Sequence, residues 1–506
     1  MIWLRALWGL ILAGLLGYAF RRAWRWEHGA EPFVLYDVEK RGIETYVLVV
    51  PTVLFWILLV FLALALIFSG IEDGLIRFFG LASNVMLFLC LYYVLLLILL
   101  PLLRQRISAR ACAVLWLIPA ILFWQANMLI SLLPLPRLTV YIPRSTIPVV
   151  GAVWFAGFLI VGGYYLISHL IFRSRVRRIT TEEQDDAVLA LWKAVQEEIN
   201  YRLPVRLLRG NVPAPFSMGR TRRSRCTVLP ERAYTPEELT MIFRHELHHL
   251  QRCDVYTKVF FCLCNALCWF NPLVWIATRK AAEDLERSCD EIVTENMDEA
   301  GRKAYAQLLL ESAAPAQGCT TCLSAAAGTL RYRLKSVLHP RKRPLGTILL
   351  MIVIVVCVMF FGLISISDER GTFTSLLLSP GTEITKIYES PYAEGDAVWD
   401  ETSLSNTNSN NTKQDGLPQA TLIQTDSALR EALDSIRLEH IPQPGRYRPD
   451  ETRLTFLLSD RRFAYLSDKV LLVFDYSHGY RAAADCYLIK NSVDWDAIQA
   501  CFRSTD

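Results

Sequence analysis

The chain is poor in charge. Only 20% of its 506 residues are Asp, Glu, Lys or Arg, while 53% are hydrophobic and the mean hydropathy is +0.28. Water-soluble domains carry about 25% charged residues, so this balance argues against a cytosolic enzyme. Collagen, intrinsic disorder and a small disulfide-stapled toxin are excluded too. Histidine is also scarce, with eight in the whole chain, so chance clusters of imidazoles are rare. One CxxC occurs, Cys319-Thr320-Thr321-Cys322, and without a second ligand pair it does not specify zinc or redox chemistry. Ten of the thirteen cysteines precede the last apolar run, in the earlier runs or in the long loop, where thiols stay reduced. Cys486 and Cys501 lie beyond the last run, and a disulfide between them is left open.

Long apolar runs are abundant. A bilayer core needs roughly 20 apolar residues in a helix. Runs of that size occupy 46–70, 79–103, 111–133, 147–172 and 345–367. A shorter run, 6–20, ends at Arg21-Arg22 with no small-residue cleavage site, and reads as a first span. The net charge of +4 is uneven. Residues 368–506 hold 22 acidic and 14 basic residues, a net of −8, which leaves +12 for the rest. The positive-inside rule sets Arg21, Arg22 and Arg25, then Arg104, Arg106 and Arg110, on the cytoplasmic side. It does the same for both ends of the loop 173–344, through Arg173–Arg178 at one end and Arg331, Arg333, Lys335 and Arg343 at the other.

The expected architecture is mainly α: polytopic membrane helices, a cytoplasmic HExxH zinc-peptidase domain and a small extracellular α+β domain. Its parts are a membrane domain of about five spans at 1–172, the peptidase domain at 173–344 and a last span at 345–367. An extracellular linker at 368–416 and a sensor domain at 417–506 follow. The apolar stretch 255–278 could span, but basic segments flank it and Asn265, Asn271 and Pro272 interrupt it. It reads as a bent or hairpin element at the membrane face.

The chemistry sits in His245-Glu246-Leu247-His248-His249, an HExxH pattern. Thr235 can cap the preceding helix start, Pro236 suits its first turn, and Glu238 completes a capping box. His245 and His249, one turn apart, can grip one zinc ion, with Glu246 beside them as general base. A catalytic zinc needs a third protein ligand and an open position. Glu286 is the best candidate, with Asp290 one turn on to brace the site by hydrogen bonds; Glu283 is an alternative ligand. His248 projects to the other side of His245 and reads as a bystander. Asp254 either orients a ligand imidazole or closes the helix.

The run from His245 to Asp254, the segment Trp269-Phe270-Asn271-Pro272-Leu273-Val274-Trp275 and the run Glu286-Arg287-Ser288-Cys289-Asp290-Glu291 together resemble the BlaR/MecR-type antirepressor membrane zinc metallopeptidases. The similarity covers roughly 173–338. It implies Zn2+ held by His245, His249 and Glu286, with Glu246 as general base, in a multi-pass protein of the bacterial cell membrane. It also implies cleavage of a cytosolic protein, a winged-helix transcriptional repressor, or of the chain itself, in response to an outside signal. Members that sense β-lactams carry a longer penicillin-binding domain whose serine lies in an SxxK motif. Residues 368–506 contain no SxxK, so an unknown extracellular ligand other than a β-lactam is expected. A homodimer and no direct nucleic-acid contact complete the expected partners.

Within the tail, 402–416 reads as a flexible linker, 426–438 as an amphipathic helix, and 454–458, 462–466, 470–476 and 482–489 as strands. A helix closes it at 494–502. Extended segments near 205–209 and 226–229 could offer an edge strand to substrate. Two rival readings stand beside the signalling peptidase: a quality-control protease similar to the Ste24/HtpX zinc peptidases, and a receptor or scaffold whose zinc is structural.

Overall fold

The computed structural model describes residues 2–28, 51–120, 136–219, 224–312, 327–340, 343–378, 381–389, 420–421, 427–442, 453–475 and 485–503. The described helices are α1 (Ile2–Glu27), α2 (Pro51–Arg106), α3 (Ala109–Leu115), α4 (Ile147–Ile179), α5 (Asp186–Glu198), α6 (Pro236–Gln251), α7 (Asp254–Leu267), α8 (Pro272–Thr294), α9 (Glu299–Glu311), α10 (Ala327–Leu338), α11 (Thr347–Phe360), α12 (Phe373–Leu377), α13 (Ser427–Asp434) and α14 (Trp495–Arg503). The strands are β1 (Leu138–Tyr141), β2 (Thr180–Glu182), β3 (Arg206–Gly210), β4 (Phe216–Met218), β5 (Cys226–Pro230), β6 (Ile364–Ser367), β7 (Arg370–Thr372), β8 (Ile384–Glu389), β9 (Ala420–Thr421), β10 (Arg437–Ile441), β11 (Leu454–Leu458), β12 (Arg462–Leu466), β13 (Val470–Asp475) and β14 (Asp485–Ile489). The chain divides into two units: Met1–Leu58, Met86–Gln125 and Val153–Phe360 form one, and Leu59–Val85, Ala126–Ala152 and Phe361–Asp506 the other.

Three described helices are long and apolar enough to cross a membrane: Trp3–Glu27, Asp73–Arg106 and Arg144–Ile179. Shorter apolar helices cover Leu58–Ile67 and Thr347–Phe360. The run 111–133 falls mostly outside the described residues, as does the segment 402–416. The runs 46–70 and 79–103 are joined within α2 by a break at Gly70, whose φ of 75° only glycine adopts without strain. A β-carbon at Gly74 would lie 2.6 Å from the Ala65 carbonyl oxygen, so the backbone turns back closely there.

In the first unit a four-stranded sheet, ordered β2-β3-β5-β4, stands beside α6. β3 and β5 pair in parallel, and β2 and β4 are antiparallel edges. Strands β3 and β5, expected as candidate edges, are therefore the interior of the sheet, because each is paired on both sides. Trp192 of α5 packs edge-on against Phe243 of α6 at 4.8 Å, within a core that includes Leu229, Leu247 and Tyr305. The stretch 255–278 is broken at Cys268–Asn271 into α7 and α8. The Asn271 side chain caps α8 by accepting from the Leu273 N–H at 3.0 Å, and Pro272 needs no donor in the first turn. Asn265 accepts from Thr278 Oγ at 2.9 Å and donates to Tyr165 Oη at 3.0 Å. The polar residues that interrupt the apolar run thus stitch α7, α8 and α4 together.

Residues 86–125 cluster in one unit with residues 153–360, and a buried charge on α8 links them. Asp284 is wholly buried and accepts from Arg104 Nε at 2.8 Å and Trp116 Nε1 at 3.0 Å. Burial pushes its carboxyl up despite the two arginines beside it, Arg104 and Arg287. Replacing Asp284 by Ala strands the half-buried Arg104 guanidinium and removes the acid beside the buried Arg287. The expected cost is about 3–5 kcal/mol, read as a lower thermal unfolding midpoint in detergent, whereas a surface change such as Lys303→Ala should leave it unmoved.

In the second unit an eight-stranded antiparallel sheet runs β7-β10-β14-β13-β12-β11-β8-β9. One face, with Leu438, Phe456, Leu471 and Tyr487, packs on Phe373, Leu433 and Ile498 from the helices. Residues 368–389, expected as linker, instead supply β7, α12 and β8: Phe373, Leu377, Ile384 and Ile387 are buried in the core, and a segment that buries apolar side chains cannot stay loose. The other face buries Cys486 with Val470 and Leu472, whereas Cys501 packs on the helix side. Cys486 and Cys501 are separate thiols on opposite faces of the sheet.

Charged pairs hold this unit to its own loops. Arg77 donates to Asp485 at 2.9 Å, Arg144 pairs with Asp73 and with Glu369 at 3.1 Å, and Thr139 donates to Glu439 at 2.5 Å. His440 Nδ1 lies 2.6 Å from Asp368 and its Nε2 3.7 Å from Asp485. Burial opposes charge on His440, but hydrogen bonds to Asp368 and Asp485 outweigh it and lift the imidazole to about 9. A raised imidazole adds stability that is complete below its unfolded value near 6.5 and disappears as pH passes 9. Thermal melts of this unit should therefore lose roughly 3 kcal/mol between pH 6.5 and 9.5, and His440→Asn should abolish that slope.

Candidate metal centre

The helix start at Thr235 is built as its sequence requires. Thr235 Oγ1 accepts from the Glu238 N–H at 3.2 Å, and the Glu238 carboxylate accepts from the Thr235 N–H at 2.8 Å. This closed box fixes the register of α6, and a 3.6-residue turn then brings His245 and His249 to one side. Their Nε2 atoms are 3.1 Å apart. α8 supplies the third donor: Glu286 Oε2 lies 3.5 Å from His245 Nε2 and 3.5 Å from His249 Nε2. His245, His249 and Glu286 form a group able to hold a metal ion.

The donor set fits zinc. Ligand bonds of about 2.0–2.2 Å in a tetrahedron place neighbouring donors roughly 3.3–3.5 Å apart, close to the separations found. Two nitrogens and one oxygen leave the fourth position to water or substrate, as catalytic sites require. Glu283, the alternative ligand, is tied to Lys280 at 2.8 Å and lies outside this group.

The remaining ring nitrogens are held from behind. His249 Nδ1 donates to Asp254 Oδ2 at 2.6 Å. His245 Nδ1 donates to Tyr305 Oη at 3.0 Å, and Tyr305 donates onward to Asp290 Oδ1 at 2.8 Å. Asp290 takes a two-pronged contact from Arg333, both bonds at 2.7 Å. Each imidazole is thereby locked with its Nε2 lone pair toward the shared centre. Burial disfavours charge on His249, but Cys289, Glu286 and the Asp254 hydrogen bond outweigh it and hold the ring well above its usual range. Burial likewise opposes charge on Glu286, and His249 and Lys258 overcome it, holding the carboxyl well below the usual range. The pocket favours positive charge among its donors, and an ion binding there displaces protons.

His248 is turned away. It is buried, its Nδ1 lies 2.9 Å from Gln251 Oε1, and burial beside Arg252 drives it down to about 3. Glu246 is 6% exposed on α6, with no hydrogen bond or ion pair to another described residue. His249, Asp254 and Cys289 form a second donor group, but the Arg252 guanidinium lies 3.1 Å from Cys289 Sγ, where a second cation would be repelled.

A family model described as BlaR1 peptidase M56 matches residues 137–337, a range that holds every residue of this centre. Residues 137–337 belong to the BlaR1 peptidase M56 family. The chain is similar to "Regulatory protein BlaR1" of Bacillus licheniformis, 26% identical over 198 residues, which is 38% of this chain and 33% of that protein. The match thus spans about a third of the relative's length. Within the M56 segment, Tyr305 and Arg333 escaped the sequence reading. Tyr305 lies in no motif, and Arg333 passed as one of several cytoplasmic-side charges, although here it is largely buried against Asp290. Tyr305→Phe should remove the brace on His245 without opening a cavity. Zinc retention measured by chelator competition is expected to fall about tenfold, with the unfolding midpoint close to wild type.

Proposed function

We propose that the chain is a membrane-embedded zinc metalloendopeptidase that transduces an extracellular signal by cleaving a cytosolic repressor-like protein, itself, or both. The observation that carries this reading is the convergence of His245, His249 and Glu286 from two helices on one point, with every rear contact of the imidazoles satisfied. The M56 membership and the apolar helices support it. The charge pattern supports a cytoplasmic peptidase segment and an extracellular tail.

His245, His249 and Glu286 hold the ion; Asp254, Asp290, Tyr305 and Arg333 orient its ligands. Zinc supplies Lewis-acid polarisation of the scissile carbonyl and a lowered pKa for water. Glu246, with no hydrogen bond or ion pair to another described residue, would accept the proton of the attacking water on its carboxylate and pass it to the leaving amine. An extended substrate segment would add to the sheet at β4, the edge beside α6, since β3 and β5 are occupied on both sides.

Glu246→Ala should keep the zinc and lower proteolysis by at least 10²-fold, the contribution of a general base. Proteomes of cells carrying wild type and Glu246→Ala should differ in one cleaved cytosolic protein. Full signalling by Glu246→Ala would defeat the protease reading.

A further inference from the structure

One buried ion pair beside the metal centre plays no part in the peptidase chemistry. Arg252, at the end of α6, is wholly buried, and its guanidinium reaches two ways. Toward α8, Nη1 donates to Ser288 Oγ at 2.6 Å and to Cys289 Sγ at 3.1 Å, and Nη2 donates to the Ser288 carbonyl at 3.1 Å. Toward α1, Nη2 pairs with Glu27 Oε2 at 3.1 Å. Glu27 is buried as well, and its other oxygen takes Arg110 Nη2 at 2.6 Å. Ser288 and Cys289 stand between Glu286 and Asp290 on α8, and Cys289 Sγ is 3.5 Å from His249 Nδ1. The residues on either side of Glu27 repeat the grip. The Trp26 carbonyl accepts from Gln251 Nε2 at 3.4 Å, and His28 Nε2 lies 3.0 Å from Glu295.

The other face of α1 lies along α11, the apolar helix that precedes the tail segment. Arg5 donates to the Val358 carbonyl. A β-carbon at Gly9 would stand 3.5 Å from Val358, and one at Gly17 2.9 Å from Met351 Sδ, so glycines let the two helices approach closely. One rigid helix therefore touches α11 along its length and both metal-ligand helices at its end.

We propose that the Glu27–Arg252 ion pair positions Glu286 and His249, and that it carries displacements of α11, through α1, to the metal centre. The proposal rests on the metallopeptidase reading above. Two guanidiniums share the buried Glu27 carboxylate, so Arg252 must follow Glu27 or be left as an unpaired buried charge. When Arg252 moves, it draws on the turn of α8 that holds Glu286. Glu27 and Arg252 are positioning residues; neither reaches the centre itself.

The test uses the full chain in lipid nanodiscs, with zinc affinity from chelator competition and the visible d–d bands of the cobalt-substituted protein. Glu27→Gln should weaken zinc at least tenfold and shift the cobalt bands, and Glu27→Asp should restore part of both. Arg252→Lys, which keeps the charge and loses the fork, should shift the bands in the same way and serves if Glu27→Gln does not fold. Gly17→Leu, which displaces Met351, should shift the bands when Glu27 is present and add nothing in the Glu27→Gln background. A purely structural pair would lower the melting midpoint and leave the cobalt bands in place, which overturns the proposal. Additive effects of Gly17→Leu and Glu27→Gln also overturn it. A wild-type chain that binds neither zinc nor cobalt overturns the metallopeptidase reading and this proposal together, whereas normal binding with insensitive variants removes only the coupling.

Discussion

The architecture around the metal centre depends on how α8 disposes of its buried acids. Asp284 on one side of α8, and Glu286 and Asp290 one turn apart on the other, are carried toward the interior, where an unpaired carboxylate is costly. Each is answered from elsewhere: Asp284 by Arg104 and Trp116, Asp290 by Arg333 and Tyr305, Glu286 by the imidazoles of α6. These pairings fix the rotation of α8 and its approach to α6, and so decide whether Glu286 reaches the histidines. The acid on the far side, Asp284, ties the peptidase segment to residues 86–125, which explains why the two form one unit.

Compensation of this kind favours specificity over raw stability. A buried ion pair gains little over a well-packed apolar contact, but a broken one is severely penalised. Here it forces one arrangement of helices around a centre whose donors would otherwise repel or protonate. Zinc chemistry needs that rigidity, since ligand atoms must stay within tenths of an ångström of their places.

Much of the site was legible in the sequence because helical geometry converts spacing into direction. The HExxH spacing put His245 and His249 on one face, the ExxxD spacing put Glu286 and Asp290 together, and Thr235-Pro236 with Glu238 announced the helix start. Tyr305 and Arg333 were invisible for the opposite reason. Their partners lie 15 or more residues away on other helices, and nothing local records such a contact. The break of 255–278 into α7 and α8 follows from Asn265, Asn271 and Pro272, whose polar demands a single apolar helix cannot meet. In the tail, the strands at 454–458 and 462–466 are short apolar runs bounded by polar turn residues, whereas β7 and β8 hide in a segment whose mixed composition resembles linker. Only the partner strands reveal its role.

The central claim is that His245, His249 and Glu286 hold one zinc ion and leave a position open. X-ray absorption at the zinc edge of the purified full chain tests it most directly. Two imidazole nitrogens and light oxygen scatterers at about 2.0–2.2 Å, without sulfur, are the expected shell. A sulfur scatterer near 2.3 Å would place Cys289 on the metal and contradict the account.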